Sequence, residues 1–263
     1  MNGSCAEYTQ PPMKNLLRLI GSLIPTSCIL CNRYQANTTC EQCLQLLGQQ
    51  ALNTTPCCPC CGLDLPITTG GKILVHDQHC SHCVAQLPYF DLSLSMARYE
   101  GLLKTAVHQL KYHRRLAYAM GLANLWNSLM KNSLMQLPPA YLLPVPLSRQ
   151  KLRERGFNQC LEITRHLTLP KQLKLLPHAL RRHHSNFSQI SANRNDRQRA
   201  LNGLFYFERR YIDRLAGQSV IVFDDVMTTG STLNEIAKVL KSHGVSHVSN
   251  WVILRTPRQL VDV

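Results

Sequence analysis

Residues 219–233 read Ser219-Val-Ile-Val-Phe223-Asp224-Asp225-Val226-Met227-Thr228-Thr229-Gly230-Ser231-Thr232-Leu233. The run over 219–223 is apolar on both faces, as a central strand of a helix-covered parallel sheet must be. A helix is expected from about residue 230 to 243, stopped by Gly244, a residue suited to the position after a helix end. Two carboxylates, Asp224 and Asp225, stand at the carboxyl end of the strand, where open α/β sheets bind ligands. Charge buried there is costly unless a ligand or metal uses it. Met227 then leads into Thr228, Thr229, Gly230, Ser231 and Thr232, a hydroxyl-rich turn whose helix-start amides and dipole favour a phosphate dianion. Two carboxylates and four hydroxyls exceed what helix capping needs. They suit the 2′- and 3′-hydroxyls of a ribose and its 5′-phosphate.

The surrounding chain alternates strand and helix signals. Residues 90–99 alternate apolar and polar, a strand pattern, and helices are expected over 102–112 and 115–130. A strand over 140–145 follows Pro138-Pro139, and a basic loop runs through Arg155 to Asn158, which caps a helix to about residue 167. Further strands are read at 173–180, 204–207 and 245–254, with a polar loop over 182–195 and a short helix at 196–201. The pattern implies an α/β unit with a mainly parallel sheet. Trp126 and Trp251 fall in a helix and a strand and are read as core.

Eleven of the twelve cysteines precede residue 84, and eight form four C-x-x-C pairs: Cys28/Cys31, Cys40/Cys43, Cys58/Cys61 and Cys80/Cys83. Such a turn sets two sulfurs about 3.5–4 Å apart, as tetrahedral Zn²⁺ with Zn–S bonds of ~2.3 Å requires. Four pairs supply two zinc sites of four thiolates each, structural because no position stays open for water. A redox C-x-x-C explains one pair but not four in tandem. Cys57/Cys60 competes with Cys58/Cys61, the latter favoured by Gly62, which relieves the crowded knuckle. Adjacent pairs give consecutive ribbons and alternate pairs a cross-brace; the adjacent arrangement is the expectation. His76, His79 and His82 are read as bystanders, and Cys160 as a packed small residue.

Lys plus Arg number 29 against 15 acidic residues, a formal charge of +14. Eight thiolates on two Zn²⁺ would lower it to about +10. The excess favours polyanionic partners, nucleic acid or phosphorylated metabolites. It gathers at Arg149, Lys151, Arg153 and Arg155 and again over 181–199, with Phe157 and Phe187 as candidates for base stacking, although aromatics are only 6%. No apolar run reaches the ~18–20 residues of a membrane span. Leu16, Leu19, Ile20 and Leu23 have helical spacing, consistent with an amphipathic helix rather than a secretory signal. The chain is read as cytoplasmic.

The stretch from Asp224 to Thr232 resembles the phosphoribosyl pyrophosphate (PRPP) motif of type I phosphoribosyltransferases. The wider chain is similar to the ComF family, also called GntX, associated with DNA uptake in competent bacteria. The likeness runs from about Met13, which is read as an alternative start. It includes Tyr99-Glu100-Gly101, Leu110-Lys111-Tyr112, Val145-Pro146-Leu147-Ser148 and Arg153-Glu154-Arg155-Gly156-Phe157-Asn158-Gln159. It implies a type I phosphoribosyltransferase-like, mainly parallel sheet flanked by helices, behind a double zinc ribbon. The expected division is a tail and helix over 1–25, the ribbons over 26–88 and the phosphoribosyltransferase-like domain over 89–263. Val145, Pro146, Leu147, Ser148 and Arg149 would form the pyrophosphate loop with Arg153 and Arg155 near it, and 181–199 a hood. Mg²⁺ would accompany PRPP, and Asp225 is the candidate acid or base. The family's role implies single-stranded DNA handling, and partners in the uptake machinery, alongside phosphoribosyl transfer. A non-catalytic PRPP sensor and a zinc-ribbon DNA- or protein-binding module are the alternatives. Glutamine amidotransfer is not expected: position 2 is Asn2, and no glutaminase-sized segment exists.

Overall fold

The computed structural model describes residues 26–50, 56–65, 79–134, 137–183 and 203–257. The readings on the N-terminal helix, His76, Phe187, the helix at 196–201 and most of the 181–199 hood lie outside the described residues. The elements in chain order are β1 (Thr26–Ser27), β2 (Tyr34–Gln35), α1 (Glu41–Gln50), α2 (Ser81–Ala85), β3 (Leu92–Arg98), α3 (Gly101–His113), α4 (Ala117–Leu129) and α5 (Lys131–Leu134). They continue with β4 (Ala140–Pro144), α6 (Arg149–Arg155), α7 (Gln159–Thr164), β5 (Leu173–Leu175), β6 (Leu180–Arg182) and β7 (Phe205–Phe207). After a 3₁₀ turn come α8 (Ile212–Leu215), β8 (Ser219–Met227), α9 (Ser231–Ser242) and β9 (His247–Arg255).

Five strands form one parallel sheet in the order β3-β9-β8-β4-β5. The central strands β8 and β9 carry the unbroken apolar runs, and Val220, Val222, Phe223, Val248, Val252, Ile253 and Leu254 are all fully buried. Trp126 of α4 packs over them, its ring 5.5 Å from Trp251 and 6.0 Å edge-on from Phe223. Both tryptophans are core, as read from sequence. After β4 the sheet continues to one side and after β8 to the other, a switch point of the kind at which open α/β sheets bind ligands beyond the carboxyl ends of the strands.

Three sequence readings change. The central strand does not stop at Phe223: β8 runs on to Met227, because Asp224, Val226 and Met227 pair with Val252, Leu254 and Arg255 of β9. The carboxylate pair therefore lies on the last part of the strand rather than after it. The basic segment is a helix, not a loop: Ser148 Oγ accepts from Lys151 N–H at 3.2 Å, and Gly156 ends it with φ +88°. The segment 173–180 is not one strand; β5 joins the main sheet while β6 pairs antiparallel with β7.

The cysteine-rich segments dock on the sheet at two places. Ile29 sits so close to α4 that a Cβ at Gly121 would lie 2.7 Å from it, and Asn124 Nδ2 donates to Thr38 Oγ1 at 3.0 Å. Residues 56–65 cover the outer edge of β3, where Ser93 N–H donates to Pro59 O at 2.9 Å and Arg98 pairs with Asp64 at 2.9 Å. These contacts cover part of an edge that would otherwise be open to pairing with another chain. Among the described residues, no helix is long and apolar enough to cross a membrane.

Candidate functional site

Two cysteine clusters take shape from distant turns. The sulfurs of Cys28, Cys31, Cys40 and Cys43 lie within 4.8 Å of one another, and so do those of Cys58, Cys61, Cys80 and Cys83. Pairs adjacent in sequence thus share a cluster. Cys57 and Cys60 are not members of either tetrad: the Cys57 backbone bridges to Asp64, and the Cys60 thiol, beside Cys83, faces Phe90 O at 3.7 Å. In the first cluster, N–H groups of Cys40 and Cys43 approach the sulfurs of Cys28 and Cys40 at 3.4 Å. Crowding splits the acidities in the second, where hydrogen bonds from Cys61 and Cys83 hold Cys58 far below the thiol range, while contacts with Cys58, Cys60 and Cys61 push Cys83 far above it. Buried sulfurs this close, with amides aimed at them, fit a soft dication, and an all-sulfur tetrad selects zinc or iron. Both tetrads can therefore hold zinc.

The second site gathers at the end of β8. Asp225 is only 3% exposed and makes an ion pair of 2.7 Å with Lys111 of α3. Burial pulls the Lys111 ammonium down, but the charges of Asp225 and Asp224 outweigh it and hold it above lysine's ordinary value. Asp224 is half-buried, accepts from the Asp225 N–H at 2.9 Å, and receives the Cys160 thiol at 3.4 Å. Burial first, then the Asp225 charge, pushes Asp224 up to about 7. Asp224 is thus a carboxyl poised near neutrality, and Asp225 is engaged with lysine. Burial and the neighbouring carboxylates drive the Cys160 thiol well up, so it stays protonated.

The turn after β8 is built for exposure of its hydroxyls. Thr228 and Thr229 are exposed, Ser231 and Thr232 half-buried, and Thr229 Oγ1 lies 2.8 Å from Ser231 Oγ. Met227 is different: its side chain is 2% exposed and packs inward under the turn. Gly230 has φ +79°, and a Cβ there would fall 2.7 Å from Met227 Cε. Gly230→Ala is accordingly expected to cost about 1–2 kcal/mol from the left-handed backbone alone, read as a lowered urea midpoint. An unchanged midpoint would show that the turn relaxes around the methyl.

The β4 side contributes a second wall. Val145 uses its backbone internally, its N–H donating to Phe223 O at 2.9 Å and its carbonyl accepting from Asn158 Nδ2 at 2.9 Å. Asn158 also caps α7 by accepting from Cys160 N–H at 3.0 Å. Pro146, Leu147 and Ser148 are half-buried, while Arg149, Lys151 and Arg153 stand exposed on α6. Arg155 donates to Gln159 and lies 5.8 Å over the ring of Tyr112. Phe157 packs against the core instead of standing free. Loss of hydration, then the charges of Arg182, Arg155 and Lys111, lower the Lys151 ammonium. A convergence of cations beside a carboxylate pair invites an anion with a polar tail.

Lys111 and Cys160 are the site neighbours that sequence reading did not assign. The signal for Lys111 was its place between buried Leu110 and exposed Tyr112, with its polar head turned inward.

A family model described as "Phosphoribosyl transferase domain" matches residues 181–263. "DNA utilization protein YhgH" of Salmonella typhi is 30% identical over 239 residues, 89% of this chain and 98% of that protein. The chain belongs to the ComF family. "Competence protein F" of Haemophilus influenzae is 27% identical over 223 residues, covering 83% of this chain and 91% of its own. "Competence protein ComFC" of Bacillus subtilis is 28% identical over 116 residues, 44% of each chain. The ComF chain thus joins a type I phosphoribosyltransferase fold to an N-terminal segment with two tetra-cysteine clusters.

Proposed function

We propose that this ComF protein binds PRPP with Mg²⁺ in the crevice between β4 and β8, in the cytoplasm. The 5′-phosphate would sit on Thr228–Thr232, the ribose hydroxyls on Asp224 and Asp225, and the pyrophosphate toward Ser148, Arg149 and Arg155. The observation that carries this reading is the carboxylate pair beside an exposed hydroxyl turn, facing the cations of α6. Mg²⁺ would supply positive charge to the pyrophosphate, with carboxylate, hydroxyl and carbonyl oxygens as the fitting donors. In the same reading residues 26–88 form a zinc-ribbon module and 89–263 the phosphoribosyl-binding domain. Isothermal titration of PRPP and Mg²⁺ into the full chain tests it, and absence of heat or saturation would end it.

The Lys111–Asp225 ion pair favours a binding or sensing role over transfer. A carboxylate 3% exposed and held by an ammonium at 2.7 Å is not free to turn toward a reacting atom. Pyrophosphate release on adding free bases or single-stranded DNA to the PRPP complex decides between the two.

Names of relatives that speak of competence and DNA utilization support a role in handling incoming DNA. Arg114, Arg149, Lys151 and Arg153 are exposed where the end of α3 meets α6 through Arg114 Nη2 and Glu154 O at 2.5 Å. Tyr112, 66% exposed beside them, takes the stacking role read earlier for Phe157. Four phosphate contacts on a single strand give a log–log salt slope of about −2.8, a roughly 50-fold loss of affinity between about 50 and 200 mM salt. Fluorescence anisotropy with labelled oligonucleotides of different sequence measures it. A flat salt response would remove the basic surface from the account.

A further inference from the structure

Arg255, the last residue of β9, is 4% exposed, and among the described residues it pairs with no carboxylate. Its guanidinium is spent on backbone carbonyls. Nε donates to Cys61 O at 2.8 Å, and Nη1 donates to Met227 O at 2.9 Å, to Thr228 O and to Thr256 O at 3.1 Å. One side chain thus ties the knuckle of the second cysteine cluster to the start of the hydroxyl turn. Burial pulls the guanidinium's pKa below its ordinary value.

A second set of contacts runs beside it. A Cβ at Gly62, directly after Cys61, would meet Ser95 Oγ at 3.1 Å and Arg255 Cδ at 3.8 Å, so the knuckle lies flat on this guanidinium stem. The Cys60 thiol faces Phe90 O at 3.7 Å, and the Phe90 ring comes within 3.8 Å of the Cβ position of Gly230. Tyr89 N–H donates to Asn234 Oδ1 at 2.6 Å in the first turn of α9. The turn over 228–230 is therefore held from beneath by the second cluster. The first cluster docks on α4 instead, through Ile29 and Thr38.

We propose that Arg255 is a positioning residue that makes the shape of the phosphate turn depend on metal at Cys58, Cys61, Cys80 and Cys83. It rests on the reading of 228–232 as a phosphate site. The metal fixes the direction of the Cys61 carbonyl, that carbonyl orients the guanidinium, and the guanidinium sets the carbonyls of Met227 and Thr228. A lysine cannot replace it, because an ammonium is a point charge and cannot span acceptors on three segments. Coupling between sites is reciprocal, so a ligand on the turn must also tighten the metal.

Hydrogen exchange on the full zinc-loaded chain tests the link without any ligand. Cys83→Ser is expected to raise exchange of the amides of 229–234 at least about tenfold while β4 keeps its protection; local opening below the global limit has this signature. Cys43→Ser, in the first cluster, should leave those amides unchanged. Arg255→Lys with both metals retained should reproduce the Cys83→Ser pattern, and adding Cys83→Ser to it should change little more. A second readout is zinc release to a chromogenic chelator, which PRPP with Mg²⁺ should slow several-fold in the wild type and not in Arg255→Lys. The proposal falls if Cys83→Ser leaves 229–234 protected, if Cys43→Ser loosens them equally, or if β4 loosens to the same extent. Should Arg255→Lys fail to fold, the two cysteine variants still decide the outcome. Should the exchange pattern hold while PRPP has no effect on zinc release and no binding heat, the coupling stands and the PRPP reading fails.

Discussion

Replacing both carboxylates, Asp224→Asn/Asp225→Asn, is expected to weaken binding of PRPP with Mg²⁺ at least about 100-fold, ~2.8 kcal/mol. Hydrogen bonds to charged groups contribute roughly 1.5–3 kcal/mol each, and the two ribose hydroxyls would lose both charged acceptors. The double variant also leaves the Lys111 ammonium buried without its 2.7 Å counter-charge. Breaking such a pair from one side costs about 3–5 kcal/mol of stability. Two controls separate these effects. Asp224→Asn alone keeps the ion pair, and Asp225→Asn with Lys111→Met removes both charges together. The first should lose affinity with little loss of stability; the second should lose affinity while recovering most of the stability. Equal binding by wild type and the double variant would remove the site assignment.

The same titration has a pH signature with a definite sign. Asp224 is pushed up to about 7 by burial and by the charge of Asp225. Its folded value lies above its ordinary value of 3.8, so the native state holds this proton more tightly than the unfolded chain does. The stability it contributes is complete below about pH 4 and is lost as pH rises through about 7. Ligand binding through the ionised carboxylate runs the opposite way. Affinity should fall by up to tenfold per pH unit below about 7, with proton release on binding, and Asp224→Asn should flatten that dependence. PRPP phosphates titrate in the same region, so the difference between wild type and Asp224→Asn is the quantity to read.

Much of the frame was legible because it rests on local signals. The unbroken apolar run at 219–223 required a covered parallel strand, and the Thr-Thr-Gly-Ser-Thr turn required a helix start beyond it. Spacing alone paired the cysteines within each knuckle. The helix at 149–155 was hidden because Leu152 is its only apolar residue, giving no period to read; the Ser148 cap and the Gly156 stop decide it. The extension of β8 through two aspartates runs against strand propensity, and pairing with β9 overrides it. Lys111, Cys160 and Arg255 act on partners far along the chain, Arg255 on a carbonyl 194 residues away. No window of sequence contains both ends of such a contact. What the resemblance supplied for Leu110-Lys111-Tyr112 was its presence, and the fold supplies its reason.

Two zinc ions per chain are expected from metal analysis of protein purified in reducing buffer, with Cys58→Ser/Cys61→Ser retaining one. The stability at stake is large, since structural Zn²⁺ contributes about 10–16 kcal/mol to small zinc folds that have little else. Residues 26–50 and 56–65 are of that kind: apart from cysteines, their buried apolar side chains are Ile29, Leu30 and Leu65, and β1 and β2 have two residues each. Loss of either site should lower Tm by at least about 10 °C, at ~2–4 °C per kcal/mol for a chain of this size. The second site should cost more than the first. Its segment covers the edge of β3 through the Ser93–Pro59 hydrogen bond and the Arg98–Asp64 pair, and it faces the buried guanidinium of Arg255. Releasing it exposes a strand edge and leaves buried donors without acceptors, so aggregation on heating should accompany the lower Tm. A chain that emerges metal-free, with four reduced thiols per cluster and a Tm indifferent to chelator, would show that the sulfurs gather for packing and not for a metal.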